Sequence, residues 1–223
     1  MDLPFDANQR FVYELIIIAQ FFFSLLCADA NCLLNALLIN LILHIGGQID
    51  ILRENLKEIF PKNDKNPSHF EAKEAIREHQ KIITFSKYIE DLYSYIAMVL
   101  FVSDSLIICC LGFTIVASID RPDASESIIR NFLFYVVINM EAFIFCFSGE
   151  YLSIKSKSIG DAAYASFWYE SDSRDSRIIL SLIMRSQNQL TITIGRIMNL
   201  SLGQFTTIVK ASASYISVLL AMY

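Results

Sequence analysis

Long apolar stretches alternate with charged segments along the chain, and this alternation predicts the fold. Each apolar stretch has at least the roughly 20 residues that a helix needs to cross a hydrocarbon core about 30 Å thick. The last stretch is divided by a polar segment at 185–191, so we expect a short helix before it and a membrane-crossing helix after it. The sequence therefore predicts an all-α membrane protein with four transmembrane helices, in the stretches 11–45, 92–119, 128–154 and 178–223.

The segments between the apolar stretches predict where the chain leaves the membrane. Residues 1–10 are polar and lack the basic and apolar pattern of a signal peptide. Residues 46–91 are rich in charge but carry apolar residues at helical spacing, which predicts a loop of helices that prolong the membrane helices. A short polar turn follows at 120–127, and a second charged loop covers 155–177.

Basic residues are concentrated in the two charged segments, 46–91 and 155–177. Because cytoplasmic loops are enriched in Lys and Arg, both segments are expected to be cytoplasmic, with 1–10 and 120–127 outside the cell. Four crossings then place both Met1 and the C-terminal Tyr223 outside. An exported N-terminus without a signal peptide is ordinary when an odd number of helices precedes it, so we expect the chain to be a fragment of a longer protein.

The last membrane helix is unusual in composition, because small and hydroxylated residues replace many of the Leu, Ile and Phe residues that face lipid. Such residues suit a close contact between helices, and they equally suit the lining of a water-filled path. Both interpretations stay open at this point. The residues concerned are Ser201, Gly203, Thr206, Thr207, Ala211, Ser212, Ala213, Ser214, Ser217 and Ala221.

Composition and motifs exclude several other classes of protein. The chain is 54% hydrophobic with a mean hydropathy of +0.45, a profile typical of helical membrane proteins. Its five cysteines lie in apolar runs and predict neither disulfides nor a metal site. We find no phosphate-binding glycine loop, nucleophile elbow or other catalytic motif, and no basic, aromatic-rich face for nucleic acid. We therefore expect no enzyme, cofactor or metal.

Two stretches near the C-terminus carry a resemblance to a known family. The first is FCFSGEYLSIKSKSIGDAAYASFW at 145–168, and the second is LSLIMRSQNQLTITIGRIMNLSLGQFTTIVKASASYISVLL at 180–220. Their order and spacing resemble the C-terminal signature of insect odorant receptors. The matching positions are Gly149, Glu150, Ser158, Ala162, Tyr164, Trp168, Arg185, Ser186, Gln187, Leu190, Thr191, Gly195, Ser201, Leu202, Phe205, Ser214 and Tyr215.

The chain departs from the family pattern at a few positions. Gln189 and Asn199 stand where proline is common in the family. Ala221 and Met222 stand where the related gustatory receptors would carry Gln and Phe, which favours the odorant branch. The charged segment 46–91 is shorter than in the shared co-receptor, which favours a ligand-tuning subunit.

The resemblance implies an architecture and an activity. The four predicted helices would correspond to helices 4–7 of a seven-helix receptor in the plasma membrane of olfactory sensory neurons. Such a receptor forms a hetero-tetrameric, non-selective cation channel with a co-receptor subunit, is opened by small volatile odorants and is surrounded by membrane lipid. The last helix would line the pore.

Candidate site residues follow from the same resemblance, in three groups. The first would bind odorant in the outer half of the helix bundle, where apolar and aromatic side chains suit a volatile ligand. The second would form the pore and its gate, and the third would belong to the anchor that joins subunits. The groups are Phe22, Phe23, Leu26, Tyr135, Asn139 and Phe143 for odorant; Ser214, Tyr215, Val218 and Ala221 for the pore; and Tyr164, Trp168, Arg185 and Gln187 for the anchor.

Acidic residues inside the apolar stretches form a further set of candidates. Asp29, Asp104 and Glu141 lie at membrane depth, where a charge is costly and usually faces a protein interior or a wet cavity. An interfacial position is the alternative for each. For the protein as a whole, the alternatives are a gustatory-type receptor channel, a G-protein-coupled receptor or a transporter. The predicted extracellular C-terminus disfavours a G-protein-coupled receptor, and the lack of an internal repeat disfavours a transporter.

Overall fold

The computed structural model of the chain describes residues 10–59, 69–118 and 124–222. Almost all of these residues are helical, because the apolar stretches contain few glycines and prolines that would interrupt a helix. The elements in chain order are α1 (Arg10–Ile59), α2 (His69–Ser118), α3 (Ala124–Ala165), a 3₁₀ turn (Trp168–Glu170), α4 (Ser173–Ser186), β1 (Thr193–Ile194), β2 (Met198–Asn199) and α5 (Leu202–Met222).

Three of the predicted membrane helices, which lie in α1, α2 and α3, continue without a break into a predicted cytoplasmic segment. Helix α1 runs on past residue 45 through Gly46 and Gly47, and α3 runs on past residue 154 to Ala165. Packing supports the helix at Gly46, where an added Cβ atom would lie 2.7 Å from the Tyr151 hydroxyl oxygen. The predicted lead at 1–9 and the predicted break at 61–67 lie outside the described residues.

The chain divides into two compact units, residues 1–38 and residues 39–223. The described part of the first unit is the N-terminal half of α1, and it carries many exposed aromatic and aliphatic side chains. The second unit contains the rest of α1 and all later elements, and it holds the larger core.

Buried positions in the second unit alternate in steps of three and four residues on four helices. This 3.5-residue repeat is the pattern of knobs-into-holes packing between nearly parallel helices. The helices therefore form a bundle, and on α1, α2 and α3 its buried positions lie at or beyond the ends of the predicted membrane segments. Its buried positions are Ile42, Ile45, Ile49, Leu52 and Leu56 on α1; Ala72, Ala75, His79, Ile82, Ser86, Ile89 and Tyr93 on α2; Leu152, Ser156, Ile159 and Ala163 on α3; and Asp175, Ile179, Leu182 and Ser186 on α4.

A two-stranded antiparallel hairpin, which the sequence did not predict, joins α4 to α5. Its strands pair Thr193 with Asn199 and Ile194 with Met198. Gly195 and Arg196 at the turn have φ angles of +56° and +61°. Positive φ at two successive positions is typical of type I′ hairpin turns, in which glycine relieves the steric cost. The hairpin lies between the polar segment 185–191 and the start of α5, so it interrupts the apolar stretch 178–223.

Three of the helices, α1, α2 and α3, are long and apolar enough to cross a membrane, when only the described residues are searched. Helix α5 has 21 residues. At about 1.5 Å per residue its length is close to the thickness of a hydrocarbon core.

Candidate functional site

A small cavity lies among α2, α3, α5 and the hairpin, and we call it the inner cavity. Its volume is about 30 Å³, which is room for one or two water molecules. The cavity is too small for an odorant in this conformation. Its walls are mostly apolar, and they are formed by Ala97, Leu100, Phe101, Asp104, Ile108, Ile138, Asn139, Glu141, Ala142, Phe145, Cys146, Ile194, Leu200 and Ile208.

Two of the acidic residues singled out from the sequence line the inner cavity. Asp104 on α2 is 8% exposed, and Glu141 on α3 is half-buried. Asn139, a predicted odorant-binding residue, lines the same cavity and donates its side-chain N–H to the Tyr135 carbonyl oxygen at 2.8 Å. Asp104 and Glu141 therefore face a protein interior, as one of the two interpretations of the sequence expected.

The predicted odorant residues of α3 lie close to α5. The Tyr135 hydroxyl lies 3.5 Å from the Ser212 hydroxyl of α5. The Phe143 ring is edge-on to the Phe205 ring of α5, with centroids 5.5 Å apart. Asn139 is one turn from both Tyr135 and Phe143, so all three residues lie on the stretch of α3 that packs against α5.

The other three predicted odorant residues lie on the N-terminal half of α1, within the first unit. Phe22, Phe23 and Leu26 are all exposed there. The Phe22 ring contacts the Phe21 ring at a centroid distance of 6.0 Å. Their exposed side chains are free to contact lipid or ligand.

An aromatic ladder runs along α3 at intervals of four residues. The Phe143 ring stacks on Phe147 at 5.9 Å, and Phe147 lies 6.4 Å from Tyr151. The next residue in this row is Lys155, whose ammonium lies 5.8 Å from the centre of the Tyr151 ring. Lys155 also forms an ion pair with Asp50 of α1 at 2.7 Å. The ladder thus connects a predicted odorant residue to an ion pair in the bundle.

The hairpin of β1 and β2 docks on one face of α2. The Gly195 N–H donates to the Ser94 carbonyl oxygen at 2.9 Å, and the Arg196 N–H donates to the Ser94 hydroxyl oxygen at 3.1 Å. The Arg196 guanidinium pairs with Asp91 at 2.6 Å. A Cβ atom at Gly195 would lie 2.6 Å from the Met98 sulfur. Because the hairpin immediately precedes α5, these contacts tie the start of the last helix to α2.

The start of α5 is also held by α3, through two adjacent residues of the sequence motif. The Glu150 carboxylate accepts a hydrogen bond from the Leu202 N–H at 3.3 Å, and negative charge is favourable at a helix N-terminus. Gly149 allows close approach of the chain before α5, since a Cβ atom there would lie 2.5 Å from the Leu200 carbonyl oxygen. The sequence analysis matched Gly149 and Glu150 to a family pattern but missed this role in positioning α5.

The predicted pore residues of α5 present exposed side chains where they are described. Val218 is 58% exposed, Tyr215 is similarly exposed, and Ser214 donates its hydroxyl to the Lys210 carbonyl oxygen at 3.0 Å. Ala221 lies in α5, but its side chain is outside the described residues. The exposed residues leave one side of α5 unpacked in the described chain.

The predicted anchor residues lie near the end of α3, in the 3₁₀ turn and at the C-terminal end of α4. Tyr164 is exposed near the end of α3, and the Trp168 carbonyl oxygen accepts a hydrogen bond from the Ser176 hydroxyl at 2.9 Å. Arg185 and Gln187 are exposed at the C-terminal end of α4. Trp168 therefore fixes the turn into α4, while the side chains of the other three point away from the bundle core.

The positive charge of Arg185 acts on a buried histidine of α2. His79 is buried in the bundle, and its pKa is lowered by burial and, to a smaller extent, by the positive charge of Arg185. Burial disfavours the charged imidazolium, so His79 is held neutral. No local pattern in the sequence indicates this interaction, because the two residues are on different helices.

The sequence of the chain is similar to that of a known protein family. A family model described as 7tm Odorant receptor matches residues 1–213. The chain is 27% identical over 179 residues to Odorant receptor 10 of Aedes albopictus, covering 79% of this chain and 47% of that protein. It is 23% identical over 224 residues to Odorant receptor 85b of Drosophila melanogaster, covering 100% of this chain and 56% of that protein. The chain thus spans about half the length of these relatives.

The fold is similar to that of a solved receptor structure. The olfactory receptor OR5 from Machilis hrabei, in complex with eugenol, matches with a TM-score of 0.77 at 20% identity. The match covers 99% of this chain and 56% of that receptor. The element order and helix packing described above are therefore those of an insect olfactory receptor fold.

Proposed function

The chain belongs to the 7tm odorant receptor family, and from this membership we propose that it is the C-terminal part of an odorant-tuned receptor subunit. Families of this kind are receptors and not enzymes. The intact subunit binds small volatile odorants and gates a non-selective cation channel formed with a co-receptor as a hetero-tetramer. It acts in the plasma membrane of olfactory sensory neurons.

In this proposal α1, α2, α3 and α5 are transmembrane helices 4–7 of a seven-helix receptor. The coverage of relatives supports it, since the chain accounts for about half of each. The bundle built from the ends of α1, α2 and α3 together with α4 is cytoplasmic, because its loops carry most of the basic residues. Both ends of this chain are then extracellular.

The contact between α3 and α5 is the main observation that supports the proposed gating. Tyr135, Asn139 and Phe143 of α3 are proposed to bind odorant, and Phe22, Phe23 and Leu26 of α1 are proposed as odorant-binding residues within the first unit. Phe143 and Tyr135 also contact Phe205 and Ser212 of α5. A ligand that displaces α3 side chains would therefore act directly on the helix that is proposed to line the pore.

The proposed pore face of α5 carries Ser214, Tyr215, Val218 and Ala221. Val218 and Ser214 lie one turn apart on one side of the helix, and both are exposed in the single chain. A ring of apolar side chains around a narrow axis, to which each copy of this subunit contributes Val218, would exclude water in the closed state, as hydrophobic constrictions do. Tyr164, Trp168, Arg185 and Gln187 belong to the anchor, where exposed side chains would meet neighbouring subunits.

The test is an electrical recording from the full-length receptor, expressed with the co-receptor while G-protein signalling is blocked. We expect an odour-evoked cation current that is lost when the receptor is left out. A response that requires G-protein signalling, or a receptor that binds odorant without any current, would overturn the proposal. The co-receptor alone is the matched control.

A further inference from the structure

Lys210 is the only charged residue in the sequence of α5, and its side chain is exposed. Within the described residues no hydrogen bond or ion pair involves its ammonium group, while its backbone carbonyl oxygen accepts a hydrogen bond from the Ser214 hydroxyl at 3.0 Å. A charge at membrane depth is costly unless it meets water or an opposite charge. The Lys210 ammonium therefore needs surroundings that α5 does not itself supply.

Lys210 lies too far along α5 for its charge to reach the surface of the membrane. It comes eight residues after Leu202, where α5 begins, and twelve residues before Met222, where α5 ends. At 1.5 Å per residue these steps correspond to about 12 Å and about 18 Å along the helix axis. The four-carbon side chain of lysine can extend toward the surface, but it is shorter than either distance. If α5 crosses the membrane as proposed above, the ammonium group lies within the span.

The Lys210 side chain is on the side of α5 that faces away from α3. At about 100° per residue, Lys210 is about 140° around the helix axis from Phe205 and about 160° from Ser212. Both of those residues contact α3, and Ser212 is buried. Ser214 is about 40° from Lys210, and Val218 is about 40° beyond Ser214. Lys210 thus continues the proposed pore face one turn toward the start of α5.

The exposed neighbours of Lys210 on this side are small or hydroxylated. Gly203, Thr207, Ser214 and Ser217 form a row with Lys210 at intervals of three and four residues, and all of them are exposed. Small residues in a row suit close contact between helices, but a long, charged side chain in the middle of the row obstructs such a contact. Of the two interpretations that the sequence left open for the small residues, Lys210 therefore favours the water-filled path.

We propose that Lys210 faces the conduction path of the receptor channel and lowers its conductance for cations, most strongly for divalent cations. This inference rests on the proposed function and adds a residue that determines specificity within it. In water, a unit charge about 10 Å from a cation of like sign lowers the local concentration of a monovalent cation about two-fold and of a divalent cation about four-fold. Each copy of this subunit would therefore disfavour Ca²⁺ more than Na⁺, as charged side chains that line a pore do.

The test is single-channel recording from the full-length receptor expressed with its co-receptor and opened by a mixture of volatile alcohols, esters and phenols. The conductance of Lys210→Gln channels should exceed that of the wild type about two-fold in about 10 mM salt. The difference should vanish in about 1 M salt, because the Debye length falls from about 30 Å to about 3 Å. The permeability to Ca²⁺ relative to Na⁺, obtained from reversal potentials, should rise about two-fold in the variant.

Two further variants provide matched controls. Lys210→Arg keeps the positive charge and should conduct like the wild type at both salt concentrations. Lys73→Gln removes one lysine charge from an exposed position at the start of α2, outside the predicted membrane segments, and should leave conductance unchanged. If Lys210→Gln forms no channels, Lys210→Met replaces it, since methionine removes the charge and keeps an unbranched side chain.

Three results would overturn the inference, in channels shown to contain this subunit. Wild-type conductance of Lys210→Gln channels in low salt would show that the ammonium lies outside the path. An increase of equal size in low and high salt would show that the substitution changes the shape of the channel and not its charge. Loss of surface receptor with unchanged conductance would show that Lys210 binds a neighbouring subunit or lipid. A wild-type receptor that carries no current would contradict the proposed function itself, and this inference with it.

Discussion

The rings of Phe143 and Phe205 lie 5.5 Å apart, centroid to centroid, with an angle of 73° between their planes. This edge-to-face contact joins α3 to α5. Phe143 also stacks on Phe147, the next member of the aromatic ladder. A single side chain of α3 therefore contacts both the last helix and the row of rings that leads to the Asp50 and Lys155 ion pair.

Replacing the two rings singly and together should show that their contributions to stability are coupled. Edge-to-face aromatic pairs are worth about 0.5–1.5 kcal/mol beyond burial, so Phe143→Ala and Phe205→Ala should each lower Tm, and the double variant should lose less than the sum. The measurement is thermal unfolding of the purified full-length receptor. Phe134, exposed on the same helix, provides the control, and its Ala variant should combine additively with Phe205→Ala. Additive losses for Phe143 and Phe205 would contradict the coupling.

Gly195→Ala should destabilise the hairpin. The left-handed conformation costs a non-glycine residue about 1–2 kcal/mol, and the new methyl group would press on the Met98 sulfur. We expect a lower Tm and less receptor at the cell surface. Gly47→Ala is the matched control, because no atom lies within 4 Å of its added Cβ and Ala favours a helix. Equal behaviour of the two variants would show that the hairpin does not need this turn.

The Asp50 and Lys155 pair should contribute more to stability than the more exposed pair of Lys57 and Glu54. Lys155 contacts both Asp50 oxygens at 2.7 Å, and hydrogen bonding from Lys155 lowers the pKa of Asp50, which lies outside the predicted membrane segments. We expect Lys155→Met to cost about 0.5–1 kcal/mol and Lys57→Met, from an exposed pair with Glu54, to cost less. A carboxyl group whose pKa is lowered by folding stabilises the folded state at a pH above its pKa in the unfolded chain. This contribution is therefore lost as pH falls through the pKa of Asp50 in the folded chain. Thermal unfolding of the wild type and both variants from pH 7 to pH 3 measures these effects. Equal losses of stability in Lys155→Met and Lys57→Met would contradict the first expectation, and a loss in Lys155→Met that does not change with pH would contradict the second.

His79 should make the bundle sensitive to mild acid. Burial lowers its pKa from about 6.5, so below that pH the unfolded chain takes up a proton that the folded chain resists. Stability should therefore fall as pH drops from about 6.5 through the lowered pKa. His79→Gln should remove this part of the pH dependence. Arg185→Gln should narrow the pH range over which stability falls, because the pKa of His79 in the folded chain would then lie closer to its unfolded value. A His79→Gln profile that parallels the wild type would contradict the assignment.

Apolar run length was enough to predict a mostly helical fold, and in the described residues three of the runs lie in helices long and apolar enough to cross a membrane. The spacing of Ile49, Leu52 and Leu56 also predicted a helix beyond residue 45, and α1 does continue there with these three side chains buried. The hairpin escaped prediction for a physical reason. The hairpin strands have only two residues each, and their support comes from Ser94 and Asp91 about a hundred residues earlier in the chain. No local pattern records such contacts.

The candidate site was less predictable than the fold. A resemblance could suggest that Phe143 and Tyr135 belong to one pocket, but their contacts to Phe205 and Ser212 depend on how α3 packs against α5. The acidic residues are an intermediate case. The cost of charge at membrane depth indicated that Asp104 and Glu141 would face an interior, while their sharing of one cavity with Asn139 depends on the relative rotation of α2 and α3.

The most direct test of the central claim is the reactivity of a cysteine at position 218 of α5. In the full-length Val218→Cys receptor with its co-receptor, we predict that a charged, water-soluble thiol reagent changes the odour-evoked current, and does so faster while odorant holds the channel open. Wild-type receptor, which keeps its native cysteines, and Phe134→Cys on α3 serve as controls and should not respond. An unchanged current in Val218→Cys channels shown to contain this subunit would contradict the account, because it would mean that α5 does not line the pore.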